Sequence, residues 1–157
     1  MEKPRMKLSD LLTEDALIPQ LQSEDKNNVL EEFANHAASI TPDLNKELIL
    51  NILVNREQLG STAVGNGVAI PHGKVPGLEK IIALFGRSEA GIDFHSHDEK
   101  NTQLFFVLLA PETAIGNHLQ ALARLSRLLK DSRIREKLIE CPQEELYNFL
   151  ISEDNKI

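Results

Sequence analysis

Residues 56–74 read REQLGSTAVGNGVAIPHGK. Pro71 fixes its own φ and biases Ile70 towards an extended backbone. Gly73 gives the chain freedom directly after the histidine. His72 is therefore expected where a strand ends, on a constrained turn, beside a residue with no side chain. That setting would leave the imidazole uncrowded. A neutral imidazole is a good nucleophile near neutral pH, its unperturbed pKa being about 6.5. Taken as a tripeptide, Pro-His-Gly reads first as an ordinary turn. Upstream, Thr62–Pro71 is rich in small and β-branched residues, with glycines at 65 and 67. It reads as a strand or as a hairpin with a bulge.

The flanking chain alternates helical and strand patterns. Leu17–Gln22 suits a short strand. Ser23 is placed to cap a helix whose first turn holds Glu24 and Asp25, with Val29, Leu30, Phe33, Ala34, Ala37 and Ile40 at helical spacing. A second helix is expected from about Asn45 to Leu59, stopped by Gly60, with Leu48, Ile49, Ile52 and Leu53 inward. Ile81–Gly86 is a further strand. Leu104–Ala110 (LFFVLLA) is an unbroken apolar run, as for a central strand covered on both faces. Gly116–Lys130 is an amphipathic helix with Leu119, Leu122, Leu125 and Leu129 inward. Ser132–Cys141 and Gln143–Ile151 form two shorter helices, split by Pro142. Helices flanking a few strands make an α/β layered domain. No repeat or composition shift divides the 157 residues, so a single domain over 1–157 is expected, with its core at about 7–151.

The run G-S-T-A-V-G-N-G-V-A-I-P-H-G-K closely resembles the phosphorylation-site segment of the fructose/mannitol-type IIA family of phosphotransferase systems. The similarity is nearest to the nitrogen-regulatory branch of that family. Arg56, Glu57 and Leu59-Gly60 stand upstream, as the family has them, and a His-Leu-x-x-Leu helix follows downstream. The resemblance implies that His72 accepts a phosphoryl group, on Nε2. It also implies a donor of the HPr type and a mixed β-sheet between helical layers.

Two further residues gain weight from helix geometry. Arg56 follows Ile49, Ile52 and Leu53 at seven, four and three residues, which places it on the apolar face. An arginine there needs a partner, and its fork of donors suits phosphate; it can also favour the helix C-terminus through the dipole. His118 precedes Leu122 and Leu125 by four and seven residues. It stands in the first turn of its helix, where backbone N–H groups and the dipole favour an anion. The resemblance supports active-site roles for both, as electrostatic clamp on the phosphoryl oxygens. Ser61 and Thr62 are candidates for orienting His72 through hydrogen bonds.

Composition narrows the function. A net charge of −7 argues against general nucleic-acid binding. One cysteine, Cys141, permits no internal disulfide. The start has no signal-peptide core, and no stretch reaches the ~20 apolar residues of a membrane span. These features suit a cytoplasmic protein without direct membrane insertion. Asp93-x-His95-x-His97-Asp98 has the alternation of a metal site, but solvated loops look the same, and no metal or cofactor is expected. His36 is expected to be structural, and Cys141 to pack at a helix end.

The expected function is a phosphocarrier whose phosphorylation state signals to regulatory targets in the cytoplasm. The alternative is a sugar-specific IIA component passing phosphate to a IIB domain. A phosphohydrolase would need a general acid that the motif does not supply, and a non-phosphorylated binding module is the remaining reading.

Overall fold

The computed structural model describes residues 6–157. Residues 1–5, part of the expected domain span, lie outside them. The elements are β1 (Leu17–Ile18), α1 (Lys26–Ile40), α2 (Lys46–Gln58), β2 (Ala63–Gly65), β3 (Val68–Ala69), β4 (His72–Val75), β5 (Ile82–Ile92), β6 (Thr102–Pro111), α3 (Ile115–Leu129), α4 (Ser132–Glu140) and α5 (Leu146–Asn155). Short 3₁₀ turns stand at Leu8–Asp10, Glu14–Ala16 and Gln143–Glu145.

The strands form one mixed sheet in the order β1-β5-β6-β3-β2, with β4 also on β6. β6 is its centre. It pairs antiparallel with β5 along one edge and parallel with β3 and β4 along the other. Its apolar run is buried throughout, as expected of a strand covered on both faces. Phe33 of α1 packs on Phe105, and the missing side chain of Gly86 makes room for it. α3 and α4 pack against β6 as well.

β3 and β4 share one register. Val68 lies opposite Leu104, and four residues on in each strand His72 lies opposite Leu108. Residues 68–75 are thus one strand interrupted at Ile70-Pro71. Proline has no N–H to give to the ladder, which accounts for the break. His72 therefore stands where the strand resumes, not where it ends. The segment before it is a hairpin, β2 against β3, with a register shift between Ala63 and Gly65.

Helix boundaries follow local chemistry. Asp25, not Ser23, caps α1: its Oδ1 accepts from Asn28 N at 2.8 Å. Ser23 Oγ instead donates to Glu32 at 2.6 Å. Asn45 caps α2 by accepting from Glu47 N and Leu48 N. Gly60, with φ at 146°, follows its end. Two residues expected inward face solvent: Leu48 is 40% exposed and Leu119 62%.

The packing runs beyond residue 151. Asp154 is buried, accepts Leu8 N at 2.7 Å through Oδ2 and holds Arg124 Nε at 2.6 Å through Oδ1. That carboxylate ties the start of the described chain, α5 and α3 together.

Candidate functional site

His72 opens β4, and its two ring nitrogens meet different surroundings. Nδ1 lies 2.7 Å from the carbonyl of Ile70. A carbonyl can only accept, so Nδ1 carries the proton and the neutral ring presents an unprotonated Nε2. The break at Pro71 lets the Ile70 carbonyl turn to the ring while the Pro71 carbonyl accepts from Leu108 N at 3.0 Å.

The ring of His118 stands edge-on to that of His72, with centroids 5.4 Å apart. His118 is buried, and its Nε2 has no hydrogen-bond partner among the described residues. A buried nitrogen without a partner is costly unless a ligand completes it. The N-cap of α3 is Ala114, whose side chain offers no cap. The N–H groups of its first turn are thus left to solvent or to an anion.

Arg56 sits in the last turn of α2 and donates from Nη1 to Gly60 O at 2.9 Å. It stands as the basic residue of that last turn, ties the following Gly60 back to the helix and also lines the cleft over His72. That cleft, of about 720 Å³, is bounded by α2, β4 and α3 and includes Lys74. Its rim is apolar and open: Leu59 is 84%, Ile115 56% and Leu119 62% exposed.

Burial pushes the pKa of His72 below its ordinary 6.5; the Ile70 carbonyl and Glu57 pull it up, Arg56 down. Burial likewise lowers His118, helped by the positive charges of His72 and Lys74. Both rings are therefore biased to the neutral form.

The expected supports act differently. Ser61 Oγ donates to Phe94 O at 2.8 Å and Thr62 bonds Glu57, so neither side chain holds His72 directly. Gly73 is not a hinge. A Cβ on it would come within 2.3 Å of Ile52 Cγ2, so it lets α2 lie close on β4. Successive residues of a strand point to opposite faces. Gly73 thus faces α2 while His72 faces α3.

Glu57 enters the sequence reading only as part of the family resemblance, with no role of its own. It is buried and continues the Ile49–Leu53 stripe at four-residue steps, a signal that was available.

The other candidates have local explanations. Asp98 accepts from Asn66 N, Ser96 Oγ and Lys100 N, which draws its pKa down to about 2. It braces the β2–β3 turn. No group of three or more His, Cys, Asp or Glu among the described residues is arranged to hold a metal ion. His36 Nε2 bonds Asp15 O at 2.6 Å. Cys141 caps α4, and burial pushes its thiol pKa up, so it is a poor nucleophile. The cleft beside it, of about 960 Å³, is crossed by Arg87, whose guanidinium is committed to the carbonyls of Pro19, Leu138 and Cys141. No helix among the described residues is long and apolar enough to cross a membrane.

Several known proteins are similar to this chain over most of its length. A nitrogen regulatory protein of Bradyrhizobium diazoefficiens is 49% identical over 133 residues, covering 85% of this chain and 86% of that protein. The crystal structure of the nitrogen regulatory protein IIA-Ntr from Neisseria meningitidis superposes with a TM-score of 0.85 at 31% identity, covering 91% of this chain and 98% of that one. The mannitol IIA of Escherichia coli shares the fold, with a TM-score of 0.72 at 20% identity over 87% of this chain and 96% of its own. The family described as phosphoenolpyruvate-dependent sugar phosphotransferase system, EIIA 2, matches residues 10–153. That span takes in the whole sheet and the cleft, and the chain belongs to this family of phosphotransferase-system components.

Proposed function

We propose that the protein is a phosphocarrier of the nitrogen-regulatory kind, loaded on His72 Nε2 by an HPr-type phosphohistidine donor, and that its phosphorylation state signals to cytoplasmic regulatory targets. The observation that carries this reading is the His72–His118 pair: one ring with a free nucleophilic nitrogen beside another whose buried nitrogen lacks a partner. The Nε2 lone pair forms the new N–P bond while the donor's P–N bond breaks and its electron pair returns to the donor imidazole. Such transfer needs in-line placement and stabilisation of the equatorial oxygens, with little covalent work by the protein. Arg56 and His118 would supply that stabilisation, as both line the cleft over His72. The rim of Leu59, Ile115 and Leu119 is suited to docking a partner around the reacting nitrogen.

The test is incubation with phosphoenolpyruvate, Enzyme I and an HPr-type donor. An acid-labile, base-stable phosphate is expected on the wild type and not on His72→Ala. Equal labelling of His72→Ala would remove His72 from the reaction. Arg56→Ala and His118→Ala should fold normally and load roughly ten- to a thousandfold more slowly, as when one oxyanion donor is lost. Onward transfer to a sugar-specific IIB would mark a transport relay instead of a regulator.

A further inference from the structure

Glu57 is a buried carboxylate next to the cleft. Its Oε1 accepts the N–H of Thr62 at 3.0 Å and lies 3.0 Å from Lys26 Nζ. Its Oε2 accepts the Thr62 hydroxyl. The Thr62 carbonyl accepts Ile70 N–H at 3.0 Å, and the Ile70 carbonyl accepts His72 Nδ1–H at 2.7 Å. One continuous chain of bonds thus leads from α1, through the end of α2 and the interrupted strand, to the imidazole.

Stability alone gives a poor account of this arrangement. A buried ion pair loses much of its Coulombic gain to desolvation, and an apolar residue would continue the Ile49–Leu53 stripe at less cost. Orientation gives a better one. Both carboxylate oxygens engage Thr62, and Thr62 holds the peptide whose carbonyl sets the tautomer of His72. Lys26 offsets the charge of Glu57, so the carboxylate orients the site without strongly repelling an incoming anion.

We infer that Glu57 is a positioning residue for His72: it clamps the Thr62 turn and, through Ile70, holds the ring in the Nδ1–H tautomer with Nε2 towards the cleft. The kinetic part of this inference rests on His72 being the phosphoryl acceptor; the tautomer part does not. The charged groups facing His72 are Arg56 and Glu57 from α2, His118 from α3 and Lys74 from its own strand. Of these, Glu57 is the one that pulls the His72 pKa upward.

The deciding variant is Glu57→Gln, which keeps shape and removes charge. Nitrogen-15 NMR of the His72 ring reports its tautomer and titration. The expected result is a folded protein in which His72 titrates at lower pH and its Nδ1–H tautomer is less populated. Loading from the donor should slow roughly ten- to a hundredfold, the penalty for small misplacement of a reacting group. Thr62→Val, which deletes one link, should move His72 in its tautomer balance less far, and it decides the matter if Glu57→Gln does not fold. A folded variant whose His72 tautomer and titration match the wild type overturns the inference. If the wild type takes no phosphoryl group at all, the proposed function fails, while the NMR comparison still settles the role of Glu57.

Discussion

His72 owes its chemistry to an asymmetry between two nitrogens. One is fixed by the Ile70 carbonyl; the other is left bare towards a cleft. Because burial lowers its pKa, the ring stays neutral and nucleophilic below pH 6.5. The loading rate should therefore hold level as pH falls past 6.5 and decline only when pH reaches the depressed value. A stopped-flow or quench profile with its midpoint at or above 6.5 would contradict burial as the controlling effect. The same shift acts on folding. With a folded pKa below the unfolded one, as for His118 too, the stability linked to these rings is fully present above 6.5 and is lost as pH falls through the depressed values. At this scale much was legible in the sequence. The motif marks His72, helix offsets put Arg56 and His118 on the apolar faces of their helices, and the resemblance implies that both stand beside it. For Glu57 the resemblance supplies the residue but no role, although its four-residue step from Leu53 places it on the buried face. The bond of Ser61 was not legible, since it depends on Phe94, which only the fold brings close; that of Thr62 to Glu57 is local and depends on how the chain turns after α2.

The elements were legible in proportion to their local signal. β6 declares itself because both of its faces are covered. β4 does not, because His72–Val75 has no apolar pattern and is a strand only through its pairing with β6. β5 runs on to Ile92, past the expected end at Gly86: its pairing with β6 continues to Arg87, shifts register across the polar stretch that follows and resumes at Ile92. Leu119 keeps helical spacing yet faces solvent, since the helix extends its apolar stripe out over the cleft. α2 lies so close on β4 at Gly73 that a side chain there would meet Ile52. Gly73→Ala would force its new methyl against Ile52 and should destabilise the fold by roughly 1–3 kcal/mol, as overpacking does. Chemical denaturation measures the loss, and adding Ile52→Ala should relieve part of it. Additive losses in the double variant would show that the two residues do not meet.

In the whole molecule, the mixed sheet and its helical layers followed from the pattern and the resemblance, whereas the strand order did not, because the parallel pairings of β6 with β3 and β4 join residues far apart in sequence. The Asp154 carboxylate is the point where distant parts are joined. Its side chain is 1% exposed and that of Arg124 11%. Asp154→Ala leaves a buried arginine unpaired and should cost about 3–5 kcal/mol, seen as a lower denaturation midpoint. A loss below about 1 kcal/mol, the range of surface pairs, would mean that Arg124 finds water instead. The same contact sets Leu8 and Asp154 side by side, although nearly the whole described chain runs between them. A polypeptide that leaves a domain beside the point where it entered can be joined end to end by a short linker, with new ends cut at an exposed turn such as Pro76-Gly77. By the same geometry the fold can be spliced into a longer host as a self-contained cartridge, without prying apart the host chain on either side.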